Sequence, residues 1–295
     1  MKKQGKNLNI FLMDGLPSGR VKCTMANWTG VSYRIPRTAL ELCRERDDLK
    51  QSGVYFLFGT DETSGRDMVY IGQAGVRKIG EGILYRLQEH KRNINSDYWV
   101  QAVVLTTSNN SFGQTEIGFL EHHFYKLSKE CGRFNVKNVA EPMLGNITEE
   151  KESELFEFVE NAQIVMGVLG FKLFEPLVPI RQFAQQETSG DDLLLTLVRF
   201  SKKSKQKIYA QCKQTAEGFI VLKGSLIEQI DSNTIPVAIS ALRKNALIIN
   251  GVLQENILFK SPSYAASFVL GGHVNGRIYW KDENGKTLKE LEQEE

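Results

Sequence analysis

The chain has little of what staples or anchors a small fold. Its four cysteines, Cys23, Cys43, Cys131 and Cys212, lie far apart with no CxxC pair, so neither a zinc knuckle nor a disulfide framework is expected. A reducing, cytoplasmic setting is the expectation. The longest apolar stretch, Ile164–Phe171, falls well short of the roughly 20 residues that cross a bilayer, and the N-terminal MKKQGKNLNIFLMDG lacks the apolar core of a signal peptide. No membrane partner is expected. Seven prolines and 25 glycines exclude collagen-like repeats, and the absence of a low-complexity tract argues against disorder. An excess of one charge is missing too: 37 basic residues face 35 acidic ones, a formal +2. As a total, this counts against a nucleic-acid partner, because neutralising phosphates takes Lys and Arg.

The 295 residues suffice for two domains, and the charge is uneven between segments. Residues 1–50, a β-rich N-terminal extension, hold 10 basic against 5 acidic residues; 51–145 hold 10 of each; 146–182, an acidic helix and linker, hold 3 against 7; the C-terminal accessory domain, 183–295, holds 14 against 13. Within the acidic stretch, Leu155, Val159, Ala162, Val165 and Leu169 recur at helical spacing between a capping Thr148 and a stopping Gly170. The basic excess therefore sits in the first fifty residues, where Lys22, Arg34 and Arg37 are candidate phosphate contacts in or beside an expected hairpin. Lys202 and Lys203, in SKKSKQK at 201–207, are further candidates.

Short strands are expected at NIFLMDG, GRVKCTMANW and GVSYRI, then a helix over Thr38–Leu49. GVYFLF and VYIG read as two strands joined by a polar loop. Helix ILYRLQEHKRN, strand YWVQAVVLTT and helix TEIGFLEHHFYKLSKE follow, the last with Ile117, Leu120, Phe124 and Leu127 on one face. This order is that of an α+β unit. After FEPLVPIRQF a second α+β domain begins near residue 183. LLLTLVRF, KIYAQCK, GFIVLKG and GRIYWKD read as its strands, and Ile235–Leu247 and PSYAASFVLGG as helical. There, Ser261, Ser263 and Ser267 suit helix caps or phosphate contacts, and Tyr279 and Trp280 suit stacking on a base.

Chemistry concentrates at Tyr55, Tyr70, Arg86, His90 and Glu121. Arg86 and His90, four apart on a helix, share one side. Glu121 emerges at the edge of an apolar stripe, and a hairpin can bring two tyrosines to one face. Two phenols, a guanidinium, an imidazole and a carboxylate suit phosphodiester hydrolysis. The carboxylate can hold a hard cation such as Mg²⁺, and Arg86 a nonbridging phosphate oxygen. His122 and His123 are left out, since adjacent helical residues point about 100° apart.

GVY at 53–55, YIG at 70–72, LYRLQEH with Arg86 and His90, LEHHFY with Glu121, and a downstream asparagine resemble the GIY-YIG nuclease superfamily over about residues 51–142. The resemblance implies a nuclease domain with a central three-stranded antiparallel sheet that cleaves DNA with one Mg²⁺ or Mn²⁺. Carried over, Glu121 is the metal ligand, Arg86 the phosphate stabiliser and Tyr55 the general base, with Tyr70 and His90 positioning water or sharing its proton. Val54 stands where the family usually has isoleucine, and the Tyr55–Tyr70 loop is longer than usual. Asn135 and Asn138 both fit the family asparagine; Asn138, four residues before Pro142, is favoured. Residues 218–225, 261–272 and 275–288 resemble a C-terminal domain of unassigned function often appended to such nucleases. Repair, restriction or defence, and mobile-element activity are all compatible with the resemblance. RNA as substrate is not excluded by the chemistry. The alternative is a catalytically silent module that keeps the nuclease fold for nucleic-acid or protein recognition, against which the intact set of five residues argues.

Overall fold

In the computed structural model, which describes residues 5–61, 65–76, 82–93, 97–177 and 193–294, the chain divides into Met1–Pro176 and Leu177–Glu295. The first unit holds strands β1 (Leu8–Leu12), β2 (Val21–Met25), β3 (Gly30–Pro36), β4 (Gly53–Thr60), β5 (Asp67–Ala74), β6 (Trp99–Thr107) and β7 (Asn135–Val136). Its helices are α1 (Ile83–Arg92), α2 (Gln114–Cys131) and α3 (Glu149–Val168). The strands form one sheet in the order β1-β2-β3-β6-β4-β5-β7, antiparallel except for the β5–β7 pair.

The expected α+β class holds, but the sheet has seven strands rather than three. The cause is the pairing of β3 with β6 from Gly30↔Thr107 to Pro36↔Gln101, which makes the N-terminal hairpin a continuation of the sheet. At the opposite edge, β7 adds two residues beside Met68 and Val69.

β4 explains the layering. Every residue from Gly53 to Gly59 is buried, and with the two-residue period of a strand the run feeds two opposite cores. Val54, Phe56 and Phe58 pack with Ile71 and Val103, with Ile117, Leu120 and Phe124 of α2, and with Leu155 and Val159 of α3. Tyr55 and Leu57 pack on the other side with Tyr33, Trp99 and Val104, and with Leu84 and Leu87 of α1. Such a central strand reads as continuously apolar because neither face meets water. As expected, Thr148 caps α3, its hydroxyl accepting from the Lys151 N–H (3.4 Å). Gly170 ends the helix with a φ of 97°, and the Phe171 N–H donates to the Met166 carbonyl.

The helix expected over Thr38–Leu49 is instead two 3₁₀ segments, Arg37–Cys43 and Asp47–Leu49. Its buried residues are Leu40, Cys43 and Leu49, all multiples of three apart. That spacing lines one side of a three-residue turn and drifts around a 3.6-residue one.

In the second unit, β8 (Leu194–Phe200), β9 (Lys207–Thr215), β10 (Gly218–Val221) and β13 (Ile257–Phe259) form an antiparallel sheet of order β13-β10-β9-β8, while β11 (Ile248–Ile249) pairs with β12 (Val252–Leu253). Helices α4 (Val237–Asn245), α5 (Pro262–Leu270), α6 (Gly276–Tyr279) and α7 (Leu288–Glu294) complete it. Its core joins Leu195, Leu197, Ile208 and Ala210 to Ala265, Phe268 and Val269 of α5. The start placed near residue 183 and most of the FEPLVPIRQF linker lie outside the described residues.

The strand expected at GRIYWKD is the single turn α6 followed by an isolated bridge at Lys281. Asn275 caps that turn through the Arg277 N–H (3.1 Å). Gly276 is pressed so closely to Pro262 that a Cβ would lie 2.0 Å from its carbonyl oxygen, and the Trp280 indole N–H donates to that same oxygen (3.0 Å). These contacts curl Gly276–Tyr279 against α5, so that only Lys281 reaches the edge of β8, bridging Thr196.

At the bulge between Phe58 and Gly59, the backbone of Tyr98 closes on β4 so tightly that a Cβ on Gly59 would sit 1.9 Å from the Tyr98 carbonyl oxygen. Gly59→Ala is expected to lower stability by about 1–3 kcal/mol, as other forced overpacking does. A shift of the denaturant midpoint at unchanged slope would measure it; an unchanged midpoint would show that the bulge yields.

Candidate active site

Register decides whether the two tyrosines meet. Tyr55 of β4 lies opposite Gly72 of β5, and Leu57 opposite Tyr70, so the tyrosines are diagonal neighbours on one face. Their ring centroids are 6.2 Å apart. Gly72 makes this possible: a Cβ there would lie 2.4 Å from the Tyr55 Oη and 2.9 Å from the Tyr70 ring. The glycine of YIG is thus the floor on which the Tyr55 ring lies.

α1 packs on that same face and delivers the other groups. Tyr55 Oη and His90 Nε2 are 2.8 Å apart, and the imidazole centroid lies 5.4 Å from the Tyr55 ring and 5.2 Å from the Tyr70 ring. Arg86, one turn earlier, donates to Glu89 Oε2 (2.6 Å) and reaches the Tyr55 oxygen. Tyr55 is 1% exposed. Its burial pushes the phenol far above its ordinary pKa, assisted by Tyr70 and opposed by Arg86. Burial also lowers His90 to about 4, the Arg86 charge adding to it. At neutral pH the imidazole is therefore uncharged. The direction of this bond depends on the tautomer: the one with hydrogen on Nδ1 lets Nε2 accept from the Tyr55 hydroxyl. Arg86 moves the opposite way: burial works against its charge, but Glu89 and the Tyr55 oxygen more than offset that.

Glu121 approaches from α2, on the other face of the sheet. It is half-buried, and burial raises its carboxyl; a hydrogen bond from Gln73 and the charge of Arg86 act against the rise. Gln73 is two residues beyond Ile71 and so faces α2; its carbonyl also accepts from Gln114 (3.1 Å). Gln73, Tyr85, Arg86, Glu89 and Gln114 line a largely polar cavity of about 340 Å³. Tyr55, Tyr70, Arg86, His90 and Glu121 thus gather around the end of β5, four elements contributing from two faces.

Asn138 has a different place. The Ile71 N–H donates to its Oδ1 (3.1 Å) and its Nδ2 donates to the Ile71 carbonyl (2.7 Å), so the amide replaces one more residue of a strand beyond β7. It pins the loop to β5 between Tyr70 and Gly72. Asn135 is exposed and pairs with Met68 within β7.

Sequence reasoning missed three participants. Glu89 was readable as the i+3 partner of Arg86 in LYRLQEH. Gly72 was quoted for its place in YIG, yet its contact with Tyr55 depends on register. Gln73 carries no local signal, since its partners Gln114 and Glu121 lie more than forty residues on.

The basic candidates of the first unit are engaged internally. Lys22 pairs with Asp48 (3.0 Å) and lies over the Tyr33 ring. Arg34 donates to the carbonyls of Pro17 and Gly19. Arg37 pairs with Asp97 (2.9 Å), donates to the Trp99 carbonyl (3.2 Å) and covers the Trp99 ring. In the second unit Trp280 is wholly buried and therefore offers no face to a base. Ser261 caps α5 through the Tyr264 N–H, while Ser263 and Ser267 accept from the N–H groups of Gly276 and Val274. Lys202 and Lys203 are exposed in the β8–β9 turn.

Residues 200–292 match a family described as a domain of unknown function (DUF4357). No curated protein matches the chain, and no solved structure does. Among the described residues no helix is long and apolar enough to cross a membrane.

His90, lowered from 6.5 to about 4, binds its proton less readily folded than unfolded, so it draws stability down as pH falls through that window. Nuclear magnetic resonance should show a His90 midpoint near 4. The stability difference between wild type and His90→Gln should change between pH 6.5 and 4 and be level above; a His90 midpoint at 6.5 would refute the buried, neutral imidazole.

Proposed function

We propose that this chain is a metal-dependent endonuclease of the GIY-YIG type that hydrolyses phosphodiester bonds of DNA. The observation that carries the reading is the 2.8 Å hydrogen bond between Tyr55 and His90, with Arg86 against the same phenolic oxygen and Glu121 within its electrostatic reach. A buried phenol needs one hydrogen-bond partner, which His90 alone supplies; Arg86 and Glu121 acting on the same oxygen go beyond that need.

The donor set fits a hard divalent cation. Glu121 supplies an anionic oxygen, and among the described residues no group of three or more His, Cys, Asp and Glu surrounds an ion. Mg²⁺ commonly takes one or two carboxylates and completes its shell with water and substrate phosphate. Glu121 would hold it, and when bound such an ion polarises a phosphoryl oxygen. The raised Glu121 carboxyl means that ion and proton compete, so cation affinity should rise with pH across the ionisation of Glu121.

The chain's own residues do the rest. Arg86, kept charged by Glu89, binds a nonbridging phosphate oxygen. Water attacks phosphorus and its proton passes to the Tyr55 oxygen as the Tyr55 proton passes to His90 Nε2. The P–O bond to the leaving oxygen breaks, and that oxygen takes its proton from solvent. Moving both protons together avoids a free phenolate, which burial makes costly. A phosphate anion on Arg86 also cancels part of the charge that depresses His90, so substrate makes the imidazole a better base. Tyr70 walls the pair and keeps the imidazole edge on the phenol.

Purified protein with plasmid, linear duplex, single-stranded DNA and RNA, each with Mg²⁺, Mn²⁺ or chelator, tests the activity. Metal-dependent cleavage that Glu121→Gln abolishes is expected; equal behaviour of wild type and Glu121→Gln on every substrate would sink the proposal.

The relay has its own test. Tyr55→Phe and His90→Ala should each cut the rate by about 10²–10⁴, and the double variant should lose little more than the worse single one, as groups acting as a unit do. Additive losses would separate the two residues' roles.

A further inference from the structure

The hairpin β8–β9 carries a concentration of charge that the chain totals conceal. From Arg199 to Lys213 it holds Arg199, Lys202, Lys203, Lys205, Lys207 and Lys213 and no acidic residue. One side of this hairpin is core: Leu195, Leu197, Ile208, Ala210 and Cys212 are buried against α5. The other side carries Val198 (53% exposed), Phe200 (63%) and Tyr209 (40%) with Lys207 between them in register. Phe200 lies opposite Lys207 and Tyr209 opposite Val198, which makes the two aromatic residues diagonal neighbours, about 7–8 Å apart.

Edge protection explains lysines on an outer strand, but not two exposed rings among them. One exposed ring is ordinary, but Phe200, Tyr209 and Val198 adjoin in register as a single apolar patch rimmed by lysines, the kind of surface that marks an interaction site. Arg199 stands opposite the core residue Ile208 and lies over the Tyr279 ring, so the turn and outer face offer the exposed Lys202, Lys203, Lys205 and Lys207; the occupant must be anionic to match these four and must offer flat apolar faces. Stacked duplex bases are 3.4 Å apart along a strand and hide their faces from one another. An extended single strand presents them separately, at a spacing nearer that of the two rings.

We propose that the outer face of the β8–β9 hairpin binds single-stranded nucleic acid, with Phe200 and Tyr209 stacking on bases and Lys202, Lys203, Lys205 and Lys207 following the phosphates. The surface belongs to the second unit, and the proposal stands whether or not the Tyr55–His90 site of the first unit cleaves.

The test uses the full chain carrying Glu121→Gln, in chelator, so that binding is read without cleavage. Fluorescence anisotropy with a labelled 20-nucleotide oligothymidylate is compared with a duplex of equal length and with vesicles containing phosphatidylserine. Phe200→Ala combined with Tyr209→Ala should weaken single-strand binding by about tenfold or more and duplex binding by less than about twofold. Lys202→Gln, Lys203→Gln and Lys205→Gln together should flatten the salt dependence by about two, given roughly 0.7 per phosphate on a single strand. Both variants alter exposed side chains, and unchanged melting temperatures would show the fold intact. Single-strand affinity unchanged in the aromatic variant, preference for duplex, or tighter binding to vesicles with the same dependence on Phe200 would each overturn the proposal.

Discussion

The first unit depends on β4 being buried on both faces. Seven consecutive residues without water on either side need helices above and below, and the two-residue period of a strand then divides the run into two cores. Tyr55 is consequently a core residue and a site residue at once. Its ring fills the space between Leu57, Trp99 and α1 as any buried aromatic would, while its oxygen reaches the end of β5, where Arg86 and His90 arrive. Close-packed interiors hold side chains in fixed rotamers, so the phenolic oxygen is placed by the same contacts that stabilise the sheet. The absent side chain of Gly72 belongs to that fit as much as any side chain present.

Burial also sets the charges. One partly desolvated pocket keeps His90 neutral, makes the Tyr55 proton hard to remove and raises Glu121, yet Arg86 stays charged as a guanidinium does, with Glu89 on the adjacent turn offsetting its burial. Burial alone would act against every charge in the pocket. The intrinsic basicity of the guanidinium makes Arg86 the cation, and burial beside that charge leaves the imidazole as the neutral proton acceptor. That division of labour is what an anionic substrate needs: a fixed positive charge to meet it and a neutral base to work beside it.

How much of this was legible in the sequence follows from the range of each interaction. The helices α1, α2 and α3, the Thr148 cap and the Gly170 stop are written within a few residues, and so is the i, i+4 pairing of Arg86 and His90. The conjunction of Tyr55 with Tyr70 was readable as a hairpin, although its register was not. What lay beyond reach was long-range. The joining of β3 to β6 that turns three strands into six spans about seventy residues, and a two-residue strand such as β7, the seventh, has no pattern of its own. Asn138 was chosen for its distance from Pro142, but its work, bracing Ile71 as a surrogate strand, is seen only with β5 beside it. Trp280 looked like a stacking residue because an aromatic beside a charged turn usually is exposed. The close approach of Gly276 to Pro262 is what turns it inward.

The two units also show opposite uses of the same pattern. β4 is without a charged or exposed residue from Gly53 to Gly59 because both faces are covered; β8 is apolar at five of its seven positions although only one face is. In β4 the run is explained by packing in full. In β8, packing accounts for Leu195 and Leu197 and leaves Val198 and Phe200 unexplained, in a hairpin whose charges are all of one sign. Near-neutral totals hide this because the 13 acidic residues of 183–295 offset its 14 basic ones while lying outside the 199–213 segment. The information lies in the difference between what a fold requires of a strand and what the strand contains, and that difference can be taken only once the covered face is known.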